Sequence, residues 1–245
     1  MPVWSSTHFI YLAVTIIFLA ATMYLVSKLN KTGQNIMFFV GAFICSFGIF
    51  FRYGMGLTWE GKLTWGIFFM EFLQVCNFNA VLVILMLIPR FELARQYSFY
   101  FSMFAAATTF FSVSRSFANL EWYHISIMNS WINHTFAVAL PLWMLASKRF
   151  KPEKKYILPV LGLVFLYFTV VYAISEILIS ENIITVDNSF SFIYDTMKVW
   201  LLDLCYALIP YPYFYLYPIL PMLYVFFWGL AWAFKKREVK EFKYK

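Results

Sequence analysis

Residues 9–26 read FIYLAVTIIFLAATMYLV, a run without a single charged side chain. A transmembrane helix needs roughly 20 predominantly apolar residues, so a run of this length and composition can cross a bilayer. No basic segment precedes the run, whereas Lys28 and Lys31 follow it. A cleaved signal peptide has the reverse arrangement, so we interpret the run as a retained span.

The composition of the whole chain supports this interpretation. Of the 245 residues, 62% are hydrophobic and 13% are charged, whereas a soluble domain is about half apolar and about a quarter charged. A water-soluble fold of this size cannot bury so much apolar surface. We therefore expect an all-α, polytopic membrane helix bundle. The net charge of +7 is dispersed among short loops, which indicates topology signals rather than a nucleic-acid partner.

Further apolar runs predict about seven spans within one transmembrane domain, residues 1–245. The predicted spans are residues 9–26, 36–51, 65–88, 97–113, 125–146, 156–174 and 214–234. Residues 190–208 are also apolar, and we predict that they form a helix lying in the membrane interface. Residues 210–213, Pro-Tyr-Pro-Tyr, end that helix because proline cannot continue it.

The basic residues predict the orientation, because cytoplasmic loops are enriched in Lys and Arg. With the amino terminus outside, 15 of the 19 basic residues lie in cytoplasmic segments and 4 lie outside. The opposite orientation would invert this bias. We therefore predict a multi-pass protein of the plasma membrane with an outer amino terminus and a cytoplasmic carboxyl terminus.

The third span contains several polar side chains, which are costly to expose to lipid and therefore mark an interior surface. At about 100° per residue, Glu71, Gln74 and Asn77 share about 120° of arc, and Cys76 lies on the other side. A helix that is polar nearly all round cannot face lipid broadly. We therefore expect the third span to be central in the bundle.

The fifth and sixth spans add a second group of polar side chains. Ser130, Asn133 and His134 form one stripe on the fifth span, and Ser130 and His134, four residues apart, can form a hydrogen bond. Tyr172 and Glu176 share a face of the sixth span. Under the predicted orientation these groups lie in the outer half or near the middle of the bilayer. One hypothesis is a polar cavity open to the outer leaflet, and the alternative is helix-to-helix packing.

The motifs of familiar soluble enzymes are missing. The chain has no G-x-S-x-G, no H-E-x-x-H and no phosphate-binding glycine loop. Its three His and three Cys residues are dispersed, without zinc-ligand spacing. We therefore expect no metal and no cofactor.

Short motifs resemble the YwaF-like family of bacterial multi-span membrane proteins. Residues 73–77, Leu-Gln-Val-Cys-Asn, resemble the family's Leu-His-Leu-Cys-Asp, and residues 133–135, Asn-His-Thr, resemble its Ser-His-Gly. Residues 210–213 resemble its Pro-Trp-Pro-Trp-Tyr, and His8 resembles an early His, although a solvated cap is the simpler interpretation of His8. The order and spacing of these motifs extend the resemblance from about residue 8 to residue 230.

The resemblance implies a chemistry as well as a fold. The family is thought to be related to a eukaryotic multi-span acyltransferase that makes ether phospholipids with polyunsaturated chains, in which the Cys forms an acyl thioester. The resemblance thus implies that Cys76 is a nucleophile and His134 its general base. Gln74 stands in place of the family's His, and Asn77 in place of its Asp, so two ionisable groups are missing.

Three functions remain open at this point. The first is a membrane enzyme that transfers or hydrolyses lipid acyl chains, with Asn133, Asn77 or Gln74 stabilising the oxyanion. The second is a non-catalytic binder or transporter for a lipid or a small molecule, whose polar path is lined by Glu71, Asn77, His134 and Glu176. The third is an assembly partner of a membrane complex. Membrane lipids are the expected partners, and the sequence names no protein partner.

Overall fold

The computed structural model describes residues 5–54, 72–111, 121–186, 192–196 and 199–235, and every regular element in these ranges is helical. The helices are α1 (Ser6–Lys28), α2 (Lys31–Gly54), α3 (Val75–Met86), α4 (Glu92–Tyr97), α5 (Met103–Thr109), α6 (Ile125–Ala146), α7 (Ile157–Ser180), α8 (Trp200–Leu208) and α9 (Ile219–Ala233). A π-helical turn, Ser98–Ser102, joins α4 to α5. The all-α prediction is confirmed for the described residues.

Three helical segments are long and apolar enough to cross a membrane by themselves. They are Ser6–Lys28, Lys154–Ser180 and Phe214–Ala233, and they agree with the first, sixth and seventh predicted spans. Each of them leaves most of its apolar side chains exposed, as expected for helices that face lipid. The total number of spans and their orientation stay predictions.

Helix α6 is the central element of the bundle. It contacts α1, α2, α3 and α5, and nearly every residue from Asn133 to Leu145 is buried. A helix that is buried on all sides has no face left for solvent or lipid. The fifth predicted span is therefore the helix against which α1, α2, α3 and α5 pack.

Hydrogen bonds attach α1 to α6. The Trp131 indole Nε1 donates to the Thr15 hydroxyl at 2.7 Å, and the Trp143 indole Nε1 donates to the Thr22 hydroxyl at 2.9 Å. Lipid tails are as apolar as the side chains of α1, so hydrophobic burial gives little drive for this contact. Hydrogen bonds and close packing therefore hold α1 in place.

Helices α2 and α6 approach closely because glycines lie between them. A Cβ atom on Gly41 would lie 2.6 Å from Cζ3 of Trp143, and one on Gly48 would lie 2.5 Å from Oδ1 of Asn129. Small residues allow helix backbones to come together in membranes. The contact between α2 and α6 therefore requires residues without a side chain at positions 41 and 48.

The third predicted span is not one continuous helix. Phe72 is helical, Leu73 and Gln74 form a turn, and α3 begins at Val75. The Tyr167 hydroxyl donates to the carbonyl oxygen of Leu73, which satisfies a backbone group that the turn removes from a helix. The prediction of a helix without interruption over residues 65–88 is wrong at this turn. Residues 65–71 lie outside the described residues.

Two other predicted boundaries differ from the structure. Among the described residues of the predicted interfacial helix, 190–208, the helical ones are Trp200–Leu208. Residues 192–196 are not helical, because the Tyr213 amide donates to the Ile193 carbonyl at 2.8 Å and the Tyr215 hydroxyl donates to the Phe192 carbonyl. The sixth span is longer than predicted and extends to Ser180.

Replacing Gly41 by Leu should destabilise the bundle, because the new side chain overlaps the Trp143 ring. Overpacking costs about 1–3 kcal/mol, which corresponds to a loss of roughly 2–12 °C in Tm for a protein of this size. Thermal unfolding in mild detergent measures the shift. Gly162→Leu is the matched control, since a Cβ on Gly162 meets no atom within 4 Å. An equal Tm loss in both variants would contradict the packing argument.

Candidate functional site

The site forms where the turn at Leu73 and Gln74 meets α6. Cys76 is the second residue of α3 and is partly exposed. Its thiol lies beside the His134 imidazole of α6 and the Thr109 hydroxyl at the end of α5, and interacts with both groups. Three helices thus bring a thiol, an imidazole and a hydroxyl together.

His134 presents one ring nitrogen to this site. Its Nδ1 atom lies 2.6 Å from the carbonyl oxygen of Ser130 and 3.3 Å from the Ser130 hydroxyl, so the predicted contact between these residues is confirmed. A carbonyl oxygen only accepts, so Nδ1 donates and, in the neutral ring, Nε2 carries the lone pair. The His134 side chain is 6% exposed, and Nε2 is buried without a hydrogen bond of standard geometry.

The beginning of α3 supplies partial positive charge next to Cys76. The first hydrogen bond across this end of the helix joins the Phe78 amide to the Gln74 carbonyl at 2.9 Å. Val75 and Cys76 therefore belong to the first turn, whose N–H groups have no acceptor within the helix. Such a helix end stabilises anions, and interrupted membrane helices direct their amino-terminal ends at anionic groups in transporters.

The turn lies deep in the bundle. Tyr167, which contacts Leu73, is near the middle of the membrane-span candidate Lys154–Ser180, and its ring stacks on Phe78 with 4.9 Å between centroids. The thiol is therefore at a depth where a backbone N–H or C=O group without a hydrogen-bond partner is costly. Irregular backbone at such depth is tolerated where protein covers it or where it lines a cavity.

The sequence model of the TMEM164 family matches residues 3–232 of this chain. The chain belongs to the TMEM164 family. This membership and the apolar helices identify a membrane protein, as predicted. Cys76 and His134 both lie inside the matched region of this TMEM164-family protein. No curated protein and no solved structure shows a significant match to the chain.

Asn133 packs α6 against α2 and does not line an open cavity. Its side-chain Nδ2 donates to the Cys45 carbonyl at 3.2 Å, and the Cys45 thiol lies 3.8 Å from its Oδ1. Both amide atoms are thus engaged with α2. Of the other predicted oxyanion donors, Asn77 is buried in α3, and Gln74 is partly exposed at the turn with no capping hydrogen bond.

Tyr172 and Glu176 do not join the pair. Glu71 lies outside the described residues, so the arc predicted for it with Gln74 and Asn77 stays a prediction. Tyr172 and Glu176 contact Tyr194 on the other side of α7. The structure therefore separates the predicted cavity residues into two groups.

Two contacts at the end of α5 were not predicted from the sequence. Thr109 neighbours Cys76, and His8 is fully buried with its Nε2 2.8 Å from the Phe110 carbonyl oxygen. The interpretation of His8 as a solvated cap is therefore wrong. The contact spans 102 residues of sequence, and no local spacing reveals it. His8 fixes the end of α5, which carries Thr109.

We expect Cys76 to be the first cysteine that reacts with N-ethylmaleimide, because Cys45 and Cys205 are 0% and 1% exposed. Intact mass spectrometry should show one adduct in the native protein and none in Cys76→Ser. His134→Gln should slow the labelling by about tenfold, since a thiol reacts as thiolate and needs a neighbouring base. Labelling of Cys45 or Cys205 first would contradict the described burial.

Proposed function

We propose that the protein is a membrane enzyme that transfers or hydrolyses lipid acyl chains through a thioester on Cys76. The observation that carries the proposal is a thiol in the first turn of an interrupted helix, in contact with a buried imidazole whose Nε2 has no other partner. A nucleophile next to a base, with the base oriented by a third group, is the signature of covalent catalysis. Here the Ser130 carbonyl orients His134.

In the first half-reaction, His134 Nε2 takes the proton of the Cys76 thiol while Sγ attacks the carbonyl carbon of an acyl ester. The new C–S bond places the carbonyl electron pair on oxygen. When this intermediate collapses, the ester C–O bond breaks and the imidazolium gives its proton to the leaving oxygen. A lipid hydroxyl then attacks the thioester, or water does in hydrolysis, and His134 repeats both proton transfers.

The first turn of α3 suits the oxyanion of both half-reactions. The N–H groups of Val75 and Cys76 point out of the helix start without an intrahelical acceptor, and the Gln74 side chain lies next to them. Preorganised donors of this kind are the largest single contribution to many acyl transfers. The field of the helix also offsets the two ionisable groups that this chain lacks relative to the YwaF-like motif at residues 73–77.

The resemblance to the YwaF-like family supports the same roles, because its motifs coincide with Cys76 and His134. The predicted orientation opens the site to the outer leaflet of the plasma membrane. Substrates are then lipids that diffuse laterally, which fits a thiol that is partly exposed while its base is covered.

A non-catalytic binder or transporter is the second candidate function. An interrupted helix at mid-depth is also how several transporters hold anionic substrates and ions. In that case Cys76→Ser should leave function intact, because a hydroxyl can replace a thiol in binding but is a much poorer nucleophile next to this imidazole. The enzyme hypothesis requires loss of function in the same variant.

The decisive measurement is the intact mass of the protein purified in mild detergent after incubation with activated acyl donors. We expect a fatty-acyl adduct that hydroxylamine removes, because hydroxylamine cleaves thioesters. Cys76→Ser should lack the adduct, and Cys205→Ser, which removes a thiol distant from His134, should retain it. An adduct that persists in Cys76→Ser, or no adduct under any condition, would reject the thioester and favour binding or transport.

Val75→Pro tests the helix start without removing a side chain that reacts. Proline at the first helical position is tolerated and lacks only the N–H group, and Gln74 at φ −57° and ψ 139° already has the conformation that a following proline prefers. We expect the acylation rate to fall by about 10²-fold, as for other lost oxyanion donors. Val75→Ala keeps the N–H and should acylate at nearly the native rate. Equal rates in the two variants would exclude the Val75 amide.

A further inference from the structure

A second polar cluster lies near the end of α7, away from Cys76. It consists of Glu176 with Tyr172, Tyr194, Tyr213 and Tyr217, and we call it the tyrosine cluster. The Tyr194 hydroxyl donates to Glu176 Oε1, and the Tyr172 phenol also hydrogen-bonds the carboxylate. The Tyr172 and Tyr213 rings are parallel, with 4.8 Å between centroids and an interplanar angle of 3°. One carboxylate is thus bordered by several electron-rich rings.

Glu176 forms no ion pair with a described residue. It is exposed, and the ion pairs among the described residues involve Glu92 and Glu153 instead. Its neighbours are neutral phenols. Burial and the hydrogen bond to Glu176 raise the pKa of the Tyr194 phenol, so this phenol stays protonated and donates at neutral pH. A carboxylate that accepts two phenol hydrogen bonds has acceptor positions left for a ligand.

The backbone holds the cluster in an unusual conformation. Phe192 and Tyr213 have φ values of 60° and 64°, a region that bulky residues rarely adopt. Two hydrogen bonds fix Tyr213 in this conformation. Its backbone N–H donates to the Ile193 carbonyl at 2.8 Å, and its hydroxyl lies 2.6 Å from Thr169 Oγ1. Such strain persists where the surroundings determine the conformation, and ligand clamps are typical places for it.

The cluster is separate from the thiol site. Tyr167 contacts the turn before α3, and Glu176 lies nine residues further along α7. At about 100° per residue the two side chains leave the helix in nearly opposite directions, and they are separated by about 13 Å along its axis. A ligand at Glu176 therefore does not need to occupy the site of Cys76.

We propose that the tyrosine cluster binds the ammonium group of a zwitterionic membrane lipid, with phosphoethanolamine or phosphocholine as its headgroup. Ring faces of tyrosine attract ammonium groups, and a carboxylate adds a full opposite charge. The cluster lies near the end of a membrane-span candidate, which is the headgroup level. Val170 and Ile177, seven residues apart, are exposed on α7, and they offer an apolar track for the lipid chains.

The test measures which lipids the protein retains. Nanodiscs with equal amounts of phosphatidylcholine, phosphatidylethanolamine and phosphatidylglycerol are assembled with the full chain, and native mass spectrometry counts the lipids on the released protein. We expect enrichment of one or both zwitterionic lipids over phosphatidylglycerol, and the two zwitterionic arms separate a quaternary from a primary ammonium. Glu176→Gln should reduce the enrichment by about threefold to tenfold, the effect of losing a charge at a partly exposed aromatic site.

Three variants control the result. Glu181→Gln removes another exposed carboxylate at the same end of α7 and should retain the enrichment. Tyr172→Leu removes a ring and should reduce it even though Glu176 remains. Cys76→Ser should leave it unchanged, so failure of the thioester chemistry and failure of lipid binding are distinguishable. Preference for phosphatidylglycerol, or equal retention by Glu176→Gln and the native protein, would overturn the proposal.

Discussion

A helix that stops at mid-depth in a membrane leaves backbone groups that lipid cannot satisfy. The turn at Leu73 and Gln74 survives because the Tyr167 hydroxyl of α7 donates to the Leu73 carbonyl. The rest of the site depends on this bond. The turn allows α3 to restart at Val75, the restart places Cys76 in a first helical turn, and that position aligns the thiol with amide donors. Without the turn, Cys76 would be an ordinary small residue inside a helix.

The bundle around the turn pairs several of its buried polar groups. Asn133 binds the backbone of α2 at Cys45, and two Trp–Thr hydrogen bonds attach α1 to α6. An unpaired buried polar group costs more than a paired one contributes. The buried Nε2 of His134 has no hydrogen bond of standard geometry, and the thiol of Cys76 is its nearest reactive neighbour. A base that is held by Nδ1 and left open at Nε2 is prepared to accept a proton.

Local sequence predicts the features that depend on neighbours along the chain. Apolar runs identified the helices that contain residues 9–26, 156–174 and 214–234, and the spacing of Ser130 and His134 predicted their contact. The turn was not predictable, because Leu73 and Gln74 are neither glycine nor proline and their partner, Tyr167, is 94 residues away. The hydrogen bond between His8 and the Phe110 carbonyl was not predicted for the same reason, since 102 residues separate the two partners. The proximity of Cys76 to His134 followed from a resemblance and not from any spacing.

The depth of each group explains why the two polar clusters differ in charge. A permanent charge is costly near the middle of a bilayer, and both the thiol and the imidazole can be neutral there. The start of α3 adds partial positive charge without a net charge, so it acts only when an anion forms on sulfur or on a carbonyl oxygen. Glu176 is exposed near the end of α7, where a polar side chain is less costly than at the centre of a bilayer. Groups that become charged only transiently at mid-depth, and a carboxylate near the end of a span, are therefore consequences of the same dielectric gradient.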